Sequence, residues 1–273
     1  MTDLYHKVLI RPPTKSFIRC VSPYSATHIV DFPRAMEEYK EFVNILAEEG
    51  IDVIEVEPLP DYPDSVFIQD AVVIGNKSNL AVLCRFGELT RRGEERDLRK
   101  VLESEGLRVQ EIREPGTLEG GDVLVTDRNI IFVGESQRTN QDGIRQFSDY
   151  FPSAKVVRVP EQKFIHMPSA VRYLGKGKII VGGNVVDKSY FAGFADLKII
   201  EMVEDLSPLK ANDAFRAYML PLPSGTVLLP PGNTNTYKAL VEEGFRPKEL
   251  DFFEFWKCNG SYMCLISPFY NVL

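Results

Sequence analysis

The sequence predicts an α/β fold built as a closed ring of five ββαβ units, and three observations carry that expectation. Four apolar runs that each end in a Gly or Pro turn recur every 48 or 49 residues: LAVLCRFGE from Leu80, NIIFVGES from Asn129, KIIVGGN from Lys178 and TVLLPPGN from Thr226. A period of roughly 20 to 50 residues marks propellers and solenoids. Each run also has an apolar partner upstream, across a polar or Gly-rich turn. Finally, five such upstream partners face only four second strands inside the chain, and KVLIRPP near the N-terminus supplies the fifth.

The upstream partners are SVFIQDAVVIG, GGDVLVTD, SAVRYLG, DAFRAYMLPLP and SYMCLISP. Short apolar runs bounded by turn residues read as hairpin strands. A helical pattern accompanies each unit. It is clearest in PRAMEEYKEFVNILAEEG, where Ala35, Met36, Tyr39, Phe42 and Leu46 keep the 3.6-residue period, Pro33 opens the first turn and Gly50 ends the helix. GEERDLRKVLESEG, TNQDGIRQFSDYF and TYKALVEEG repeat the design, and Asp187 to Ala195 is a weaker version. A third strand follows in IDVIEVE, LRVQEIRE, AKVVRVPE, LKIIEMVE and RPKELDF. Pairing of KVLIRPP with SYMCLISP would complete one unit from both chain ends and remove the exposed sheet edges. The alternative is two ordinary α/β domains of about 130 residues each. No linker or composition break supports such a boundary, so residues 1–273 are expected to form one domain.

Composition narrows the function. With 32 Lys and Arg against 39 Asp and Glu, the net charge of −7 argues against a nucleic-acid surface. Hydrophobic residues at 44% and charged residues at 26% fit an ordinary globular protein. No run approaches the roughly 18 to 20 apolar residues of a membrane helix, and MTDLYHKVLIRPP lacks signal-peptide architecture, so a cytoplasmic protein away from membranes is expected. Cys20, Cys84, Cys258 and Cys264 form no C-x-x-C pair, and reduced thiols are the expectation. His6, His28 and His166 fall in no metal-ligand pattern; neither metal nor cofactor is expected.

In a closed ring the first strand of every unit faces the axis, so equivalent positions converge. Those positions hold Gln69 and Asp70, Glu119 and Asp122, His166, Asn212 and Asp213, and Cys264. Carboxylates, an imidazole and a thiol around one channel suit nucleophilic catalysis on a cationic substrate. Asp122 reads as a turn or supporting acid. Cys20, Cys84, Cys258, His6 and His28 read as structural or surface residues. The polar segment from Lys15 to Asp31 is long for a connection and is a candidate lid.

RPPTKSFIRCVS, PDSVFIQDAVV, RRGEE, PGTLEGGDVL, VGESQRTNQDG, FIHMPSA and NGSYMCLI appear in this order over nearly the whole chain. Together they resemble the dimethylarginine dimethylaminohydrolases, within the arginine deiminase and amidinotransferase superfamily. The resemblance implies a five-bladed α/β propeller, or pentein. It implies a cofactor-free hydrolase acting on a small guanidino amino acid, as a monomer or homodimer. It casts Cys264 as the nucleophile, His166 as the acid and base, and Glu119 as the residue that orients His166. Asp70 and the adjacent Gln69 would meet the guanidinium, Arg85 and Arg138 the substrate α-carboxylate, and Asp64 its α-amino end. A guanidinium is planar and cationic, so carboxylates match its charge and geometry, while a carboxylate calls for Arg.

Two positions depart from the family pattern. Gln69 stands where Glu is usual, and HMPS follows the pattern's His where HLK is usual. Pro168 occupies the position of the Asp in the His-x-Asp pair of arginine deiminases. The substrate remains open among arginine, methylated arginines and other guanidino compounds. Two other functions share the architecture: an amidinotransferase, which passes the amidino group to an amine instead of water, and a non-catalytic propeller that binds a partner. The combination of Cys264, His166, Asp70 and Glu119 favours a hydrolase over the latter.

Overall fold

The computed structural model describes residues 4–21, 29–160, 166–167, 170–182, 186–202 and 219–273. The N-terminal strand β1 (Lys7–Ile10) is followed by helix α1 (Phe32–Glu48) and strand β2 (Asp52–Glu55). Asp31 caps α1 by accepting from the Arg34 N–H at 3.3 Å, and Gly50 beyond its end has φ +74°, a value that suits a residue without Cβ. Ala35, Tyr39, Phe42, Ile45 and Leu46 form its buried stripe.

The repeats follow the spacing. Strands β3 (Val72–Gly75) and β4 (Leu80–Leu83) pair antiparallel, and after helix α2 (Leu98–Ser104) strand β5 (Arg108–Glu111) joins β4 in parallel. The same arrangement recurs with β6 (Val123–Val125), β7 (Ile130–Gly134), α3 (Gln141–Tyr150) and β8 (Lys155–Val159). It recurs again with β9 (Val171–Gly175), β10 (Lys178–Gly182), α4 (Ser189–Ala192) and β11 (Lys198–Met202). The fourth copy is β12 (Leu220–Pro221), β13 (Thr226–Leu229), α5 (Thr234–Glu242) and β14 (Arg246–Glu249). After the short helix α6 (Phe253–Trp256), the last strand β15 (Ser267–Tyr270) lies antiparallel to β1, with Val8 opposite Pro268 and Leu9 opposite Ser267. β1 in turn carries β2 in parallel, and β15 pairs with β3, so two units merge into one six-stranded sheet.

Three first strands begin with a tight 3-10 turn instead of extended chain: Ile68–Ala71 before β3, Gly120–Asp122 before β6 and Tyr262–Leu265 before β15. Thus Cys264, read from the sequence as part of a strand, sits on a turn three residues upstream of it. The first of these turns touches each of the other two. Two glycines permit this approach: a Cβ on Gly120 would collide with the Gln69 carbonyl, and one on Gly121 with Asp70 and His166.

The expectation of reduced thiols is corrected at one pair. Cys20 and Cys258 form a disulfide with Cα atoms 5.7 Å apart, across 238 residues of sequence. Local spacing conceals such a pair, because only the return of the C-terminal segment to the N-terminal one brings the two together. Cys84 and Cys264 are free. The candidate lid is anchored where it is described: Lys15–Arg19 forms a 3-10 turn, and Phe17 is buried against Phe67 and Phe255. The rest of that expectation at 22–28, together with His28, Pro168, Asn212 and Asp213, lies outside the described residues. No described helix is long and apolar enough to cross a membrane.

Candidate active site

Asp70, Glu119 and Cys264 reach one place because each sits on, or caps, one of the three touching turns. Asp64, Asp70, Arg91, Arg138, His166 and Cys264 line a cavity of about 40 Å³. His166 is clamped. Its Nε2 lies 2.9 Å from Glu119 Oε2, and its Nδ1 lies 3.7 Å from Asp70 Oδ1. Glu119 is fully buried; its Oε1 accepts the backbone N–H groups of Gly87 at 3.1 Å and Glu88 at 3.2 Å, and Arg138 Nη1 lies 3.3 Å from both of its oxygens.

Asp122, read from the sequence as a turn or supporting acid, is fully buried beside His166. It accepts the Met167 N–H at 3.2 Å and the Ser136 hydroxyl at 2.7 Å, which ties down the residue next to His166. Burial raises its pKa to about 6.

Charge follows from these contacts. Burial opposes an imidazolium at His166, but the Asp70 charge and the Glu119 hydrogen bond outweigh it and raise the pKa to about 9. Burial likewise opposes ionisation of Glu119, and its hydrogen bond and attraction to His166 overcome that and lower its pKa. At neutral pH the pair is therefore imidazolium and carboxylate. The Cys264 thiol goes the other way: burial, then the Asp70 charge, push it up to about 12 against the pull of Arg172 and Arg91. At neutral pH the sulfur is therefore a thiol.

Arg91 is the residue that sequence reasoning passed over. Its Nη1 donates to Asp70 Oδ2 at 2.7 Å, while Nε and Nη2 clamp Glu94 at 3.1 and 2.8 Å. The signal was present in RRGEE, which supplies both Arg91 and Glu94. Asp64, assigned to the substrate amino end, accepts the Val21 N–H at 3.0 Å. Gln69 is buried beside Asp70 but does not line the cavity. Arg85 is not brought here at all: it lines a different cavity and donates to the Gly116 carbonyl at 3.1 Å. Its backbone bridges Leu118 antiparallel, and its side chain lines the other cavity.

Oxygen and nitrogen atoms of Asp70, Glu119 and His166 lie within 4.8 Å of one another, a spacing that three metal ligands also show. Here the Arg91 and Arg138 guanidiniums already balance those carboxylates. A protonated imidazole between two anions describes the group better.

The family model described as N,N dimethylarginine dimethylhydrolase, eukaryotic, matches residues 26–193. An uncharacterized protein of Aeropyrum pernix is 42% identical over 99% of this chain and 97% of its own length. The N(G),N(G)-dimethylarginine dimethylaminohydrolase of Streptomyces coelicolor is 33% identical, covering 93% of this chain and 96% of its own. The solved structure of the Pseudomonas aeruginosa enzyme, a mutant complexed with citrulline, superposes with a TM-score of 0.83 over 97% of this chain and 100% of that one; at 24% identity it shows the shared fold. These relationships place the protein among hydrolases of C–N bonds in linear amidines. Within that class, the chain belongs to the dimethylarginine dimethylaminohydrolase family.

Proposed function

We propose that this protein hydrolyses a guanidino C–N bond of arginine or N-methylated arginine, releasing ammonia or an amine and leaving citrulline. The observation that carries the reading is the ion pair of buried Glu119 with His166, whose ring lines the same pocket as Cys264 and Asp70. The name of the Streptomyces coelicolor relative supports methylated arginine as the substrate class.

Asp70 already accepts one guanidinium, that of Arg91, which illustrates the geometry it offers a substrate. Arg138 is the cavity's remaining cation for the substrate carboxylate, and the amino group replaces the Val21 N–H on Asp64. Binding of the substrate cation offsets the acidic surroundings of Cys264, and the thiol releases its proton to solvent. The thiolate attacks the guanidinium carbon and an S–C bond forms. As the C–N bond breaks, His166 protonates the leaving nitrogen, and a cationic thiouronium remains on Cys264. The now neutral His166 takes a proton from water while the hydroxide adds to the same carbon. The C–S bond then breaks, citrulline leaves, and one proton returns to the sulfur.

The same reading makes residues 1–273 one domain, a five-bladed α/β propeller. Its support is the chain of neighbouring units: β15 pairs with β3, β6 touches β9, β9 touches β12, and the Tyr5 hydroxyl before β1 donates to the Pro221 carbonyl of β12 at 2.8 Å.

The direct test is purified protein assayed against arginine, monomethylarginine, dimethylarginine and agmatine, with citrulline and amine detection. Citrulline with a stoichiometric amine is the expected product. Transfer of the amidino group to added glycine or ornithine, without citrulline, would instead indicate an amidinotransferase.

A further inference from the structure

Arg85 leads to a second cavity, of about 380 Å³, behind the wall of the Cys264 pocket. Three segments converge on it: the end of β4, the stretch from Arg92 into α2, and the end of β5. Its charged lining is Arg85, Arg92, Arg96 and Arg99 against Glu95 and Glu111, an excess of two positive charges in a protein whose net charge is −7. Arg99 is paired, with Glu111 at 3.3 Å and Glu103 at 3.7 Å. Arg85 reaches Glu114 at 3.6 Å, a carboxylate that is 84% exposed. Arg92 donates Nε to the Phe86 carbonyl at 3.0 Å. Among the described residues no carboxylate lies within ion-pair distance of Arg92 or Arg96. Leu83, Phe86 and Ile112 give the cavity a buried apolar floor.

Guanidiniums gathered in a recess repel one another unless an anion joins them. We propose that this cavity binds a small organic molecule carrying a phosphate monoester. The dianion matches the excess of two positive charges. Three terminal oxygens can take guanidinium donors arriving from separate segments, whereas a carboxylate presents a single two-oxygen edge. The volume falls within the roughly 300 to 1,000 Å³ of small-molecule sites, and the apolar floor suits an organic body next to the phosphate. The site is distinct from the one that receives the guanidino substrate. The segment from Cys84 to Arg92 separates them: Gly87 and Glu88 hold Glu119, and Arg91 lies over the Phe86 ring at 4.6 Å, while Arg85 and Arg92 face the larger cavity.

Isothermal titration calorimetry of the full chain with adenosine monophosphate tests the proposal. Saturable one-to-one binding is expected, competed by inorganic phosphate and not by succinate. The Arg92→Gln/Arg96→Gln double variant should weaken it by about tenfold or more, the loss of charge-assisted contacts. Arg138→Gln, in the other cavity, should leave it unchanged. Because Arg92 also bonds backbone, the single variant Arg96→Glu, on an exposed side chain, keeps the test independent of folding and should weaken binding as well. Absence of saturable binding, equal affinity in wild type, double variant and Arg96→Glu, or loss of binding in Arg138→Gln would overturn the proposal. Equal competition by succinate would overturn the phosphate assignment.

Discussion

The inner turns and the outer strands of this protein use the same repeat in opposite ways. On the inner side, the turns at Ile68–Ala71 and Gly120–Asp122 bury every residue, and their carboxylates Asp70 and Asp122 are each paired at 2.7 Å. On the outer side, β2, β5 and β14 read DVIE, RVQE and RPKE, with charged residues that are exposed or half-buried and meet surface partners such as Lys7 for Asp52 and Arg99 for Glu111. Equivalent positions converge at one end of the repeat and diverge at the other. The chemistry of the Cys264 site is therefore concentrated where burial makes electrostatics strong, and the outer strands mainly supply register and cover.

The largest break of that contrast is deletion of residues 264–273. It removes β15, the strand between β1 and β3, together with Cys264. Loss of both cooperative melting and activity is expected; a truncated protein that keeps its melting temperature would contradict closure through the chain ends. Next comes Glu119→Gln, which keeps the shape but removes the anion that fixes His166. The turnover rate should fall about a hundredfold or more, the usual contribution of a positioned acid–base group.

The pH dependence of stability supplies a second readout of that variant. His166 has a folded pKa of about 9, above the ordinary value near 6.5 in an unfolded chain. Its stabilisation is therefore complete below about 6.5 and lost as pH rises through about 9. Thermal melts between these pH values should show a decline in the wild type and a flatter profile in Glu119→Gln.

Smaller effects sharpen the comparison. Gln69→Glu places a charge in a buried position outside the cavity, and a loss of about 1 to 3 kcal/mol of stability is expected in denaturant titrations, with relative kcat/KM for arginine and its methylated forms unchanged. A changed substrate ratio would show that the side chain reaches the guanidinium. Lys248→Gln on the outer strand β14 should stay within about 0.5 kcal/mol of wild type.

The regular spacing made most of the fold legible, because in four of the units the strand pairs and the helix fit inside one repeat. It did not reveal the 3-10 turns, since Ile68 and Val72 look equally strand-like when only their apolar character is read. Nor could it pair Cys20 with Cys258, a contact between the two ends of the chain. In the site, the carboxylates, His166 and Cys264 were legible because they recur at one repeat position. Arg91 was not, because it reaches the site from a loop outside that position, and Arg85 was misplaced because an Arg after a strand can face either side of the wall.

The central claim is that Cys264 attacks the guanidino carbon while His166 supplies and removes the protons. Intact-mass spectrometry with peptide mapping of the His166→Ala protein incubated with dimethylarginine tests it most directly. The expected result is a covalent adduct on Cys264 that hydrolyses slowly, and a Cys264→Ser protein that forms neither adduct nor citrulline, because a serine hydroxyl is far less ionised than a thiol. Citrulline produced at the wild-type rate by Cys264→Ser, or an adduct that maps to another residue, would contradict the account.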